Sequence, residues 1–244
     1  MLALISLLTV AATVMHPIPQ PAITLHYYER PPFYTGTVDG GVEGLVATPA
    51  LRALSTARIS YTIRSTPPKR QLAIIKQNIE PACMIGWLRT IEREKVGNFS
   101  SVLYRDRRPV AIARADNVAL RSDRTLSATI GDSTLTILIK EGFSYGPKAD
   151  AEIRNHPVPM RTTAQTAEML KMIFYRRADY FLLSQEEADE LIARSSFRRQ
   201  DFRYIFFSDM KSGIERRLWC TKQVDVAQMR ALNAAIAQLR GQAQ

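Results

Sequence analysis

The sequence is poor in the residues that build metal and redox centres. It has three scattered histidines (His16, His26, His156) and two cysteines, Cys83 and Cys220, with no CxxC pair. A zinc site therefore has no ligand spacing to rest on, and neither a metal nor a cofactor is expected. Contiguous charge of one sign is also lacking. Lys and Arg number 33 against 23 Asp and Glu, a net charge of +10, yet no run of five basic residues occurs. The basic residues fall in small clusters at Arg105–Arg108, Arg176-Arg177, Arg198-Arg199 and Arg216-Arg217. Dispersal of this kind, without aromatic interleaving, argues against a nucleic-acid stripe. The surplus reads as a solubilising surface that also attracts anionic ligands.

Long apolar runs are missing after the first fifteen residues. Met1–Met15 is apolar and uncharged, but too short for a membrane span of about 20 residues. It reads as the core of a secretory signal peptide, with small residues for cleavage at Val10-Ala11-Ala12. A buried first strand or helix is the plainer alternative. Pro17, Pro19 and Pro21 then read as a linker. Residues 1–22 are thus expected to be signal peptide and linker, and the protein to be periplasmic. Export permits a disulfide between Cys83 and Cys220; two buried thiols fit the same apolar runs.

What remains is an ordinary globular composition, 46% hydrophobic and 23% charged over 244 residues, enough for one large domain or two small ones. Ile23–Tyr28 reads as the first strand. A helix over Leu45–Leu54 and a strand over Arg58–Arg64 follow. Ser65-Thr66-Pro67-Pro68 reads as a helix start with a hydroxyl cap and proline at the first helical position. Ala82–Ile85 is the next strand. This β-loop-α-β-α-β order favours a mostly parallel sheet with helices on its faces. A second α/β pattern begins after the buried strand Pro109–Arg114. It comprises a strand at Thr134–Lys140, helices at Pro147–Arg154 and Thr163–Arg176, a strand at Tyr180–Leu183 and a helix opened by a capping box at Ser184-Gln185-Glu186-Glu187. Strands at Arg203–Phe207 and Glu215–Cys220 and an amphipathic helix Val226–Leu239 close the chain.

Two places in this order can meet a ligand. Arg93 follows a strand and opens a short helix at Thr90–Lys95, where an arginine either greets an anion or sits in water. Gly142-Phe143-Ser144-Tyr145-Gly146 turns a strand into a helix, presenting N–H groups and a hydroxyl to an anion; an ordinary strand-to-helix turn is the alternative.

In order along the chain stand Tyr28–Phe33 (YERPPF), Gly40–Gly44, Pro68-Lys69-Arg70, Cys83–Trp87 (CMIGW), Glu92-Arg93, Phe99-Ser100, Tyr104, Gly142–Gly146 (GFSYG), Arg177-Ala178-Asp179-Tyr180 and Leu232-Asn233-Ala234-Ala235. Together they resemble the extracellular solute-binding proteins of family 3, the periplasmic amino-acid-binding type that serves ABC transporters. The resemblance covers nearly all of the chain after the linker. It implies an α/β, two-lobe periplasmic-binding-protein type II fold, each lobe a sheet flanked by helices, joined by two crossover strands. Lobe one would hold residues 23–111 plus 221–244, and lobe two residues 112–220 with the hinge crossovers.

The resemblance also implies a function: capture of a small polar carboxylate-bearing solute, an amino acid or a relative, in the interlobe cleft. A monomer that hands its solute to a membrane permease or a sensor would follow. In that frame Arg93 grips the ligand carboxylate with a bidentate fork. Phe143 and Ser144 donate to the same carboxylate, Asp179 pairs with the ligand amine, and Trp87 and the Tyr27–Arg30 loop, with Tyr28 and Glu29, line the pocket. Each has a plainer alternative: Arg93 as a solvated helix-start residue, Asp179 and Ser144 as turn caps, Trp87 as core. Catalysis is not expected; the competing reading is a periplasmic lyase on the same fold, like the cyclohexadienyl dehydratases, with Glu29 or Glu141 as general acid or base.

Overall fold

The computed structural model describes residues 22–156 and 159–242. The signal peptide and linker expected over residues 1–22 lie almost wholly outside these residues. In chain order the elements are β1 (Ile23–Tyr27), β2 (Thr35–Gly36), β3 (Val42–Glu43), α1 (Ala47–Thr56), β4 (Tyr61–Ser65), α2 (Pro68–Gln77), β5 (Ala82–Trp87), α3 (Ile91–Val96), β6 (Asn98–Phe99), β7 (Tyr104–Arg105) and β8 (Pro109–Arg114). There follow α4 (Leu126–Ile130), β9 (Leu138–Lys140), α5 (Pro147–Asn155), β10 (Met160–Thr162), α6 (Thr166–Phe174), β11 (Tyr180–Ser184), α7 (Gln185–Ala193), β12 (Phe202–Phe206), β13 (Glu215–Cys220) and α8 (Val226–Gly241).

Two sheets result. The first runs β4-β1-β5-β13-β6, with β7 also on β13. Its β1–β4 and β1–β5 pairs are parallel, as crossovers through α1 and α2 require. The second has β11 and β12 antiparallel on either side of β8. A parallel bridge from Ile137 to Tyr180 joins the β9–β10 pair to its edge. Each sheet is covered on both faces. In the first, α1 and α8 close one side around Ala50, Leu54, Leu232 and Ile236, and Ile75 of α2 closes the other with Trp87 and Trp219. In the second, Leu126 and Ile153 lie on one face, and Leu170 and Ile192 on the other. The apolar runs of β5 and β8 follow from this double burial.

The pairing moves both boundaries. The sequence reading put Glu215–Cys220 in the second lobe and residues 109–111 in the first. Instead β13 pairs with β5, and β8 pairs along its length with β11 and β12. An apolar strand does not announce which sheet it joins; only its partners do. The chain therefore crosses between the sheets before β8 and before β13. There the two segments touch: Asp106 N–H donates to the Ile214 carbonyl at 2.9 Å. A Cβ on Gly213 would stand 1.7 Å from the Asp106 carbonyl oxygen, so no larger residue fits this crossing without a backbone shift.

Local differences have local causes. Helix α2 starts without a hydroxyl cap: Pro67 holds the cap position with Pro68 in the first turn, while the Thr66 hydroxyl meets His26 Nδ1 at 2.8 Å. The expected strands at 58–64 and 134–140 form only at Tyr61–Ser65 and Leu138–Lys140. Cys83 and Cys220, left open between thiols and a bridge, form a disulfide that pins β5 to β13 across 137 residues. Among the described residues no helix is long and apolar enough to cross a membrane, and no group of His, Cys, Asp and Glu could hold a metal ion.

Candidate functional site

A cavity of ≈ 70 Å³ lies between the sheets, lined from the first by Tyr28, Arg30, Trp87, Arg93 and Arg216, and from the second by Phe143, Ser144, Leu182, Ser184 and Phe207. Its lobe-one wall is set by a break in β5. Cys83 and Ile85 face one core cluster, Ala82 and Met84 the other. Strict alternation would send Trp87 with Cys83 and Ile85. The pairing with β13 slips by one residue between Arg217 and Trp219, and Gly86 takes φ +79°, the pattern of a β-bulge. Trp87 consequently turns to the face of Met84. Its indole N–H donates to Gln71 Oε1 at 2.7 Å, and its ring lies 5.1 Å from that of Trp219.

Arg93 is fixed at three points. Its backbone N–H donates to the Thr90 hydroxyl that caps α3, at 3.3 Å. Its carbonyl accepts from the Trp219 indole at 3.2 Å. The guanidinium sits 4.7 Å from the Trp87 ring centroid, a cation–π contact, and spends one donor on the Leu88 carbonyl at 2.8 Å. Among the described residues no carboxylate forms an ion pair with it. Burial pulls its pKa below the ordinary arginine value, offset only in part by Asp150, Tyr28 and Glu92.

The other cations are paired. Arg216, 3% exposed, makes a bidentate pair with Asp106 at 2.6 and 2.7 Å and lies 3.6 Å from the Phe33 ring centroid. Arg30 reaches across the cleft from the end of β1 to Glu187 in the first turn of α7, at 2.7 and 2.9 Å. Burial acts to lower the Arg30 pKa, and the Glu187 carboxylate more than offsets it, holding the group well above its ordinary value. The Tyr104 hydroxyl donates to Glu186 at 3.1 Å; burial, then Glu186, push its pKa up to about 12. The rings of Tyr28 and Phe143 meet at 6.1 Å. Three contacts thus bridge the two sheets around the cavity.

Of the residues expected from sequence, Tyr28, Trp87, Arg93, Phe143 and Ser144 come together on the cavity. Glu29 and Asp179 do not line it. The Glu29 carboxylate accepts from the Gly36 N–H at 2.8 Å. Asp179 lies just before β11 and accepts from the Asn117 amide and the Thr136 N–H at 2.9 and 2.7 Å; Leu182, Leu183 and Ser184, toward the opposite end of β11, line the cavity. Part of the Gly142–Gly146 turn is satisfied from within. Asp150 accepts the Ser144 hydroxyl and the Tyr145 N–H at 2.7 Å, a carboxylate from inside α5 satisfying its own helix start.

Sequence reading missed the Arg216–Asp106 pair and the role of Glu187. The capping box at Ser184 is only half formed: Ser184 accepts from the Glu187 N–H at 3.4 Å, while the Glu187 side chain goes to Arg30. A Glu at that position satisfies the box pattern equally well whether it turns back or reaches out, so no signal separated the two.

No family model matches the chain, and no curated protein matches it. Solved structures do. An ancestral arginine-binding protein bound to arginine superposes with a TM-score of 0.71 at 13% identity, covering 92% of this chain and 94% of that one. The substrate-binding protein of an amino acid ABC transporter gives 0.68 at 15% identity, covering 91% and 95%. The holo arginine-binding protein of T. maritima gives 0.66 at 18%, covering 90% of each. With two covered sheets, two crossings and a cavity between them, the chain has the two-lobe fold of the periplasmic amino-acid-binding proteins.

Proposed function

We propose that the protein is an exported solute-binding protein that holds a small carboxylate-bearing solute between its lobes for a membrane permease or a sensor. The observation that carries this reading is Arg93: a half-buried guanidinium in the interlobe cavity with, among the described residues, no carboxylate partner and one donor spent. A ligand carboxylate would satisfy it with a charge-assisted fork. The fold supports the reading, since its structural neighbours are substrate-binding proteins. The Cys83–Cys220 disulfide supports export, because such bonds persist in oxidising compartments. Hinge closure would be the binding motion, with the Arg30–Glu187 and Tyr104–Glu186 contacts made as the lobes meet. The lyase alternative lacks a placed base: Glu29 and Glu141 are exposed and neither lines the cavity.

A thermal-shift screen over carboxylic acids and amino acids tests this. A solute present at 100 times its Kd should stabilise the native state by about 2.7 kcal/mol, several degrees in Tm for a chain of this size. Recovery of the hit unchanged is expected. A screen with no stabilising compound contradicts the reading, and consumption of the hit transfers it to the lyase.

A further inference from the structure

The charges around the cavity go further than naming a carboxylate, and this step rests on the solute-binding reading above. We infer that the cleft selects a carboxylate without an ammonium or guanidinium group, a simple organic acid and not an amino acid. Every acid on or behind the walls is already spent. Asp106 is the one carboxylate among the cavity-lining residues, and Arg216 holds both its oxygens. Glu187 is held by Arg30 through both oxygens. Glu186 accepts from Tyr104 and from the Arg107 N–H, and Asp150 from Ser144 and Tyr145. Asp179 stands off the cavity with its amide partners. An incoming ammonium would lose its water with no carboxylate to replace it, beside two buried guanidinium groups.

The aromatic faces tell the same story. Rings in a cleft can cage a cationic ligand, but here the protein's own cations cover two of them, Trp87 and Phe143. Arg93 stands over Trp87 at 4.7 Å. Arg30 and Lys140 stand 4.9 and 4.7 Å from the Phe143 centroid. Among the described residues Arg93 makes no ion pair, and beside it lies an apolar floor of Leu126, Leu182, Phe207 and Ile214. A carboxylate with an uncharged, largely apolar remainder fits that set. Arg30 is the residue that sets the class: it puts a fixed cation in the cleft and removes Glu187 as an ammonium acceptor in one contact.

Isothermal titration of the wild-type chain with matched pairs tests this: 3-phenylpropionate against L-phenylalanine, glutarate against L-glutamate, 4-methylpentanoate against L-leucine, with L-arginine added. The expected result is that whichever pair binds does so at least tenfold more tightly as the deaminated acid, with L-arginine silent. An amino acid binding as tightly as its deaminated partner, or binding of L-arginine, overturns the inference and leaves the solute-binding reading standing. Silence of every acid and amino acid overturns both. Arg30→Ala, which frees Glu187, should shift the ratio toward the amino acid by tenfold or more, and the Arg30→Ala/Glu187→Ala double variant should not. A ratio unmoved by Arg30→Ala in a chain that still melts cooperatively removes Arg30 from the account; the wild-type ratio stands as a test without either variant.

Discussion

The lobe-one wall of the cleft carries Arg30, Arg93 and Arg216, whereas the lobe-two wall offers Phe143, Leu182 and Phe207 and turns its acids, Glu186, Glu187 and Asp150, to other partners. The frames behind the two walls differ as well. Behind the charged wall stand a disulfide, a bulge at Gly86 and a buried bidentate ion pair. The apolar wall rests on a turn in which one carboxylate, Asp150, accepts the Ser144 hydroxyl and the Tyr145 N–H. A cation that must meet a ligand at a fixed distance gains most from a rigid frame, while apolar contacts tolerate adjustment as a lobe closes.

That contrast can be broken from either side. The largest effect is expected at the ion pair. Asp106→Ala leaves Arg216 buried without a carboxylate, and should cost about 3–5 kcal/mol in a urea melt; a loss below about 1 kcal/mol would mean that the pair does not brace the charged wall. Replacing both cysteines, Cys83→Ala with Cys220→Ala, should cost about 2–5 kcal/mol, since the bond closes a long loop in the unfolded chain. Reduction with dithiothreitol should have the same effect on wild type and none on the double variant. Gly213→Ala drives a methyl into the Asp106 carbonyl at the crossing and should cost about 1–3 kcal/mol, with a change in the closed-to-open balance visible by small-angle scattering. On the apolar wall, Asp150→Ala removes the cap of the Gly142–Gly146 turn and should cost only about 1–2 kcal/mol.

The smallest effect is a slope. His26 is 3% exposed and its Nε2 has no hydrogen-bond partner; burial lowers its pKa from the ordinary 6.5. The unfolded chain therefore binds this proton at higher pH than the folded one. Stability from this group is present above about pH 6.5 and is lost as the pH falls from there toward the folded value. His26→Gln should flatten the fall of Tm below pH 6.5 relative to wild type; parallel curves would contradict it.

Much of this architecture was legible in the chain. The apolar runs of β1, β5 and β8 and the βαβ order specify covered sheets, and the closing amphipathic helix forms as α8, capped by Asp225, whose side chain accepts from the Ala227 and Gln228 N–H groups. The place of Arg93 on the cavity was legible too, because it follows a strand and opens a short helix. Glu187 and Arg216 were not. Each lies inside a pattern that already had a sufficient local explanation, a capping box and a strand, and the partner that decides its role is 157 or 110 residues away. Trp87 shows the intermediate case. Its exposure to the cleft depends on a one-residue bulge that Gly86 permits but does not by itself announce. Asp179 was misplaced for a related reason: the motif fixes its strand, while the cleft meets that strand at its other end.

The most direct test of the account is the affinity of Arg93→Ala for the carboxylate found by screening, measured by titration calorimetry beside a thermal melt. The Arg93 guanidinium spends one donor on the Leu88 carbonyl and lines the cavity. The account predicts a loss of about 2–5 kcal/mol in binding, with a cooperative melt retained. Unchanged affinity in a folded Arg93→Ala chain would contradict it.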